Sequence, residues 1–201
     1  MFNRIIQNTR KPKGIFGRMI LKGMNTGHEK LAVWGLSHLA LRTGSHILDV
    51  GCGGGANIAK MLKDVPESIV DGLDYSAESI AFSQKTNAAH LGKRCEIHQG
   101  DAADLPYSDQ TLDYVTAFET IYFWPDLEAA FKEIKRVLKE GGELLICCEA
   151  DNPLDTTWTD RIEGMTVHRG ADLKERLLRM GYQKVELYHN EKGWMCLTAV
   201  R

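Results

Sequence analysis

The feature that most constrains the fold is a seam at residues 46–62. An apolar run, His46 to Val50 (HILDV), enters the cluster Gly51-Cys52-Gly53-Gly54-Gly55, and an amphipathic helical pattern from Ala56 to Leu62 leaves it. A strand that turns through glycines directly into a helix is the start of a crossover unit. Such units build parallel sheets with helices packed on the faces. Glycines let the backbone bend sharply there and keep side chains out of the space above the strand end, so a ligand can lie against the main chain.

The rest of the chain repeats this alternation. The spacing predicts a helix over 28–41, with Leu31, Trp34, Leu36, Leu39 and Ala40 on one face and Gly44 beyond its end. Further strands are predicted at Ser68–Leu73, Cys95–His98, Leu112–Phe118 and Glu143–Cys148. Helices are predicted between them: one capped by Ser76 and running to about Leu91, and one opened by Pro125-Asp126 and running to Leu138. A helix over Ala171–Met180 then leads to Lys184–Tyr188 and Trp194–Val200, a closing antiparallel hairpin. No repeat or domain-scale shift in composition interrupts the pattern. We therefore expect one domain over 1–201, with residues 1–42 as a helical cap within it.

Composition narrows the function classes. Hydrophobic residues make up 43% and charged residues 26% of 201, as in an ordinary globular chain. Lys+Arg number 25 and Asp+Glu 27, giving a net charge of −2, which argues against a dedicated nucleic-acid module. The balance hides an asymmetry: Arg4, Arg10, Lys11, Lys13, Arg18 and Lys22 all precede the first acid, Glu29. That stretch has the look of a transit peptide but runs into a helical pattern without a linker, so we read a structural cap. No apolar run is long enough to span a membrane. The five cysteines (52, 95, 147, 148 and 196) show no C-x-x-C spacing. They are expected to be reduced thiols in a cytoplasmic protein, with Cys147-Cys148 as strand residues. No metal pattern such as H-E-x-x-H is present, and no metal is expected.

Taken alone, the glycine cluster also fits the dinucleotide fingerprint G-x-G-x-x-G/A. Asp49, on the strand just before it, separates the readings. A carboxylate there is out of place beside a pyrophosphate and in place beside a cationic ligand. The pattern D-x-G-x-G-x-G, filled by Asp49, Gly51, Gly53 and Gly55, resembles the first motif of class I S-adenosylmethionine-dependent methyltransferases. Four more segments follow in order: Asp74 ending the second strand, Gly100-Asp101-Ala102, Leu112-Asp113-Tyr114-Val115, and Leu138-Lys139-Glu140-Gly141-Gly142. Together they cover about residues 45 to 150 and are most similar to the small-molecule enzymes of the ubiquinone/menaquinone-biosynthesis type.

The resemblance implies a Rossmann-like, seven-stranded, mostly parallel sheet. It implies S-adenosylmethionine as cofactor and methyl transfer to a small-molecule acceptor by direct in-line displacement. It assigns Asp49, Gly51, Cys52, Gly53 and Gly55 to the cofactor loop, Asp74 to the ribose hydroxyls, and Asp101 and Ala102 to the adenine. The backbone at Phe118 would meet the methionine moiety. Tyr75 is either an adenine-packing ring or a surface turn residue. The candidate catalytic or acceptor-facing residues are His28, Glu119 and Tyr122. His28 is a general-base candidate or an exposed helix-end residue; Glu119 binds substrate or orients its loop. The aromatic run Tyr122-Phe123-Trp124 divides between core and acceptor pocket. His168 is a weaker candidate in 151–170, a segment that, with the N-terminus, is left to shape that pocket. The competing readings are a cofactor-binding regulatory module, an NAD-dependent oxidoreductase and an RNA methyltransferase. The last usually carries [DNS]-P-P-[YFW] where this chain reads Thr116-Ala117-Phe118-Glu119-Thr120.

Overall fold

A computed structural model describes residues 28–201. Of the cap expected over 1–42, residues 1–27, with the basic residues Arg4 to Lys22, lie outside the described residues. Seven strands form one sheet in the order β3-β2-β1-β4-β5-β7-β6. They are β1 His46–Val50, β2 Ile69–Asp74, β3 Ile97–Gln99, β4 Leu112–Phe118, β5 Leu138–Cys148, β6 Gln183–His189 and β7 Met195–Val200. Strands β1 to β5 pair in parallel; β7 runs antiparallel to both β5 and β6. The expected Rossmann-like sheet with an antiparallel closing hairpin is what the chain forms.

Among the described residues five α-helices cover it: α1 Glu29–Leu36, α2 Ala56–Asp64, α3 Ala77–Thr86, α4 Leu127–Val137 and α5 Gly170–Arg179. Both faces of the sheet are buried, so the strands read as continuous apolar runs rather than alternating ones. The period of two sorts each strand between two cores. Ile47, Tyr114, Phe118, Leu145 and Cys147 pack with α1 and α2, whereas Leu48, Val50, Val115, Ala117, Ile146 and Cys148 pack with α4 and α5. The adjacent thiols Cys147 and Cys148 thus sit on opposite faces, and all five cysteines are free and buried. Helix α4 buries Leu127, Ala130, Phe131, Ile134 and Val137, one face at helical spacing, and Asp126 caps it by accepting from the N–H groups of Glu128 and Ala129 at 3.0 Å.

Three boundaries depart from the sequence expectation. Helix α1 ends at Leu36 rather than near 41. The Ser37 hydroxyl donates to Trp34 O at 2.6 Å, and His38 and Leu39 close short i→i−3 turns. Helix α3 ends at Thr86 rather than near 91, because the Asn87 amide donates to Ser83 O (3.0 Å) and to Gly55 O (3.1 Å), tying the helix end to the glycine loop. Strand β5 begins at Leu138, directly after α4. Its pairing with β4 jumps from Leu112↔Leu138 to Tyr114↔Glu143, so the Gly141-Gly142 turn is a bulge within the strand. Gly35 of α1 lies against β5 and β4: a Cβ there would fall 2.8 Å from Cys147 Sγ and 2.9 Å from Phe118 Cε1.

Candidate active site

The first group of candidates gathers at the carboxyl ends of β1 and β2, where ligands of open α/β sheets bind. Gly51 and Cys52 both donate their N–H to Leu73 O, at 2.7 and 3.1 Å, which draws the loop across the end of β2. Gly51 has φ +73, and a Cβ there would lie 2.0 Å from Thr120 Oγ1; Gly55 has φ +75, and its Cβ would meet Ser83 Oγ at 2.3 Å. Both positions require glycine twice over, for conformation and for space. Gly53 N–H donates to Asp74 Oδ2 and Ser76 N–H to Asp74 Oδ1, each at 2.9 Å. Asp74 is thereby fixed, and burial holds its carboxyl above the ordinary range while these donors pull the other way.

Asp49 lies beneath the loop, 1% exposed, and accepts from the Thr116 hydroxyl at 2.7 Å. Burial first, opposed by that hydrogen bond and reinforced by Asp74, pushes it up to about 7. Cys52 is buried beside the same carboxylates, which together with burial push its thiol up. Asp101 is exposed and its Oδ1 accepts from Ala103 N–H at 2.9 Å, whereas Ala102 is buried in the core. Tyr75 is 38% exposed beside Asp74.

The second group lines a cavity of about 660 Å³ over the ends of β4 and β5. His28, Glu119 and Tyr122 all face it, joined by Phe123, Glu149 and residues of 150–167 and 189–194. Glu119 follows β4 with φ +56, a conformation that non-glycine residues rarely hold. Its Oε1 accepts from Glu149 N–H and from the Tyr122 hydroxyl (3.2 Å), and that hydroxyl accepts from Ala150 N–H at 2.9 Å. This strap crosses from β4 to β5. Burial and the neighbouring Glu149 charge push the Glu119 carboxyl up to about 7, against the pull of its donors. One ligand-capable atom from each of His28, Glu119 and Glu149 lies within 4.8 Å of the others. Burial lowers His28, opposed by the Glu149 charge.

Of the aromatic run, Tyr122 and Phe123 line the cavity, while Trp124 packs edge-on against Phe131 in the core, with ring centroids 6.1 Å apart. Phe118 is buried under α1. His168 does not line the cavity; its Nε2 is buried without a partner among the described residues. Sequence reasoning missed Glu149, Lys192 and Trp194. The segment 151–170 does contribute, through Trp158, Ile162, Met165 and Val167 among others.

Comparison with known proteins bears on the fold. Residues 48–146 match the family described as "Methyltransferase domain". Staphylococcus aureus demethylmenaquinone methyltransferase is 31% identical over 155 residues, 75% of this chain and 61% of that protein, so the chain spans about three fifths of the relative's length. A chain of the Haloferax volcanii complex containing the Trm112 methyltransferase activator superposes with TM-score 0.81 at 22% identity, covering 90% of this chain and 92% of that one. A SAM-dependent methyltransferase from Aquifex aeolicus gives TM-score 0.75 at 19% identity, covering 90% and 97%. Residues 48–146 thus match the methyltransferase-domain family, and the described residues share the Rossmann-like fold of these solved structures.

Proposed function

We propose that this chain transfers a methyl group from S-adenosylmethionine to a small-molecule acceptor held in the cavity. The observation that carries the reading is the contact between two unlike sites. Thr120 fills the space that a side chain at Gly51 would need, and the next residue back, Glu119, faces the cavity. The end of β4 therefore touches the cofactor loop on one side and the acceptor space on the other.

The residues fit the cofactor. Asp49 is a buried carboxylate with no ion pair among the described residues, an arrangement that favours a cationic ligand. In this reading Asp74, held by Gly53 and Ser76, takes the ribose hydroxyls. Tyr75, Asp101 and Ala102 border the adenine. Gly51, Cys52, Gly53 and Gly55 leave room along the main chain, and Phe118 borders the methionine moiety. When bound, the cofactor supplies an electrophilic methyl carbon on a sulfonium sulfur. The chain contributes alignment and exclusion of water, worth several kcal/mol of barrier. His28, Glu119 and Tyr122 face the acceptor and can orient it or take its proton.

The whole of 1–201 is read as one such domain with its N-terminal residues as a cap, working in the cytoplasm and not on nucleic acid. The net charge of −2 supports the part of that reading that sets nucleic acid aside. Calorimetric titration with S-adenosylhomocysteine and, separately, with NAD tests the cofactor. Saturable binding of the first is expected; binding of NAD alone would sink the reading. Label transfer from methyl-labelled cofactor to a cell-extract acceptor tests the reaction.

A further inference from the structure

We propose that the acceptor is an amine, bound as its ammonium with the nitrogen among Glu119, Glu149 and His28 and its carbon body against Tyr122, Phe123 and Trp158. The inference rests on the methyltransferase reading and adds the substrate class. Four carboxylates line the cavity: Glu119, Glu149, Asp151 and Asp155. Two have partners outside the cluster. Asp151 pairs with His189 (Nε2 to Oδ2, 2.5 Å) and accepts from Gly170 N–H, and Asp155 accepts from Thr157 N–H at 3.0 Å. Lys192, the one lysine among the lining residues, lies over the Trp194 ring at 4.6 Å.

Glu119 and Glu149 thus face each other beside His28, whose burial disfavours its charged form. Two carboxylates held this close repel unless one takes up a proton or a cation sits between them. An ammonium brings three donors and no acceptor, which matches the set. One oxygen of Glu119 is taken by the strap, while the Glu149 side chain accepts no hydrogen bond among the described residues. An anionic acceptor would add to the repulsion, and a neutral one would bring no charge to offset it. The rings of Tyr122, Phe123, Trp158 and Trp194 suit the same ligand, since a cation is drawn to an aromatic face.

An ammonium nitrogen has no lone pair, so one N–H proton passes to a carboxylate oxygen of Glu119, which becomes the neutral acid. The freed pair then forms the N–C bond to the methyl carbon as the C–S bond breaks with its electrons left on sulfur. The positive charge moves from sulfur to the methylated nitrogen. Glu119, with its carboxyl near 7, is suited to hold that proton.

The test is calorimetry on the full chain saturated with S-adenosylhomocysteine, using three probes of one skeleton: 2-phenylethylamine, 2-phenylethanol and 3-phenylpropionate. The amine is expected to bind at least about tenfold more tightly than the alcohol, with no binding of the carboxylate. Glu149→Gln should erase that preference while S-adenosylhomocysteine affinity stays put. Equal or tighter binding of the alcohol or carboxylate, or no binding of the amine, overturns the amine assignment and leaves the methyltransferase reading standing. So does one-site Mn²⁺ binding by electron paramagnetic resonance that Glu149→Gln abolishes, which would make the cluster a metal centre. Failure of S-adenosylhomocysteine itself to bind removes the methyltransferase reading, and this inference with it.

Discussion

The ends of β1 and β2 and the ends of β4 and β5 lie side by side but are built from different materials. The first site is mostly backbone. Its N–H groups are spent on Leu73 O and Asp74, and two of its glycines have no room for a methyl group. The second is mostly side chains, drawn from His28, from the turn after β4, from 149–167 and from the hairpin loop. A backbone site serves one unvarying ligand and tolerates almost no change. A side-chain site can be rewritten without disturbing the sheet. Under the proposed function, the contrast separates what must stay constant from what sets specificity, with Thr120 and Glu119 as the joint.

Substitutions can break that contrast or sharpen it. Gly51→Ala should have the largest effect: the clash with Thr120 at φ +73 predicts roughly 2–4 kcal/mol of lost stability, read by denaturant unfolding, and loss of S-adenosylhomocysteine binding. Near-wild-type behaviour would show that the loop is not as tight as described. Next, Asp74→Ala strands the N–H groups of Gly53 and Ser76 and should weaken S-adenosylhomocysteine at least about tenfold by calorimetry.

Asp49→Asn probes the buried charge. The folded-state value, about 7, lies above the ordinary 3.8, so the folded state holds the proton more tightly than the unfolded chain. Stability from this group is therefore full below about pH 4 and declines as pH rises toward 7. Without ligand, Asp49→Asn should gain on wild type by roughly 2–4 kcal/mol at pH 7–8, shrinking to nothing near pH 4, in unfolding curves across pH. The sign should reverse for cofactor affinity, because the variant lacks the charge. Smallest of all, Trp158→Ala, at a residue 50% exposed, should change stability by less than about 0.5 kcal/mol and leave S-adenosylhomocysteine binding intact. It should raise the acceptor KM by about threefold.

The same contrast explains what could be read from the sequence. The loop was legible because left-handed φ and close approach demand glycine at fixed intervals, and because strands buried on both faces announce themselves as apolar runs. Ser76 and Asp126 marked their helix starts for an equally local reason, a side-chain acceptor for free N–H groups. The cavity was legible only in part. Glu119 and Tyr122 stood out by lying at a strand end, and His28 by its place at the start of α1. Glu149 is an ordinary exposed acid until β5 sets it beside Glu119. Trp194 belongs to a hairpin far along the chain, and nothing local links it to residue 28. The early end of α3 was hidden for a similar reason: Asn87 stops the helix by reaching back to Gly55, 32 residues earlier.

Gly35 gives α1 a reference mark. It seats the helix on Cys147 and Phe118, and His28 lies seven residues away, two turns or about 10 Å along the same face. The helix acts as a gauge rod: where one end is seated decides where the other end points. A larger residue at 35 would lift the rod off the sheet and retract the imidazole from the carboxylates without touching either. The position of a polar group in the cavity is thus set by the absence of a side chain two helical turns away.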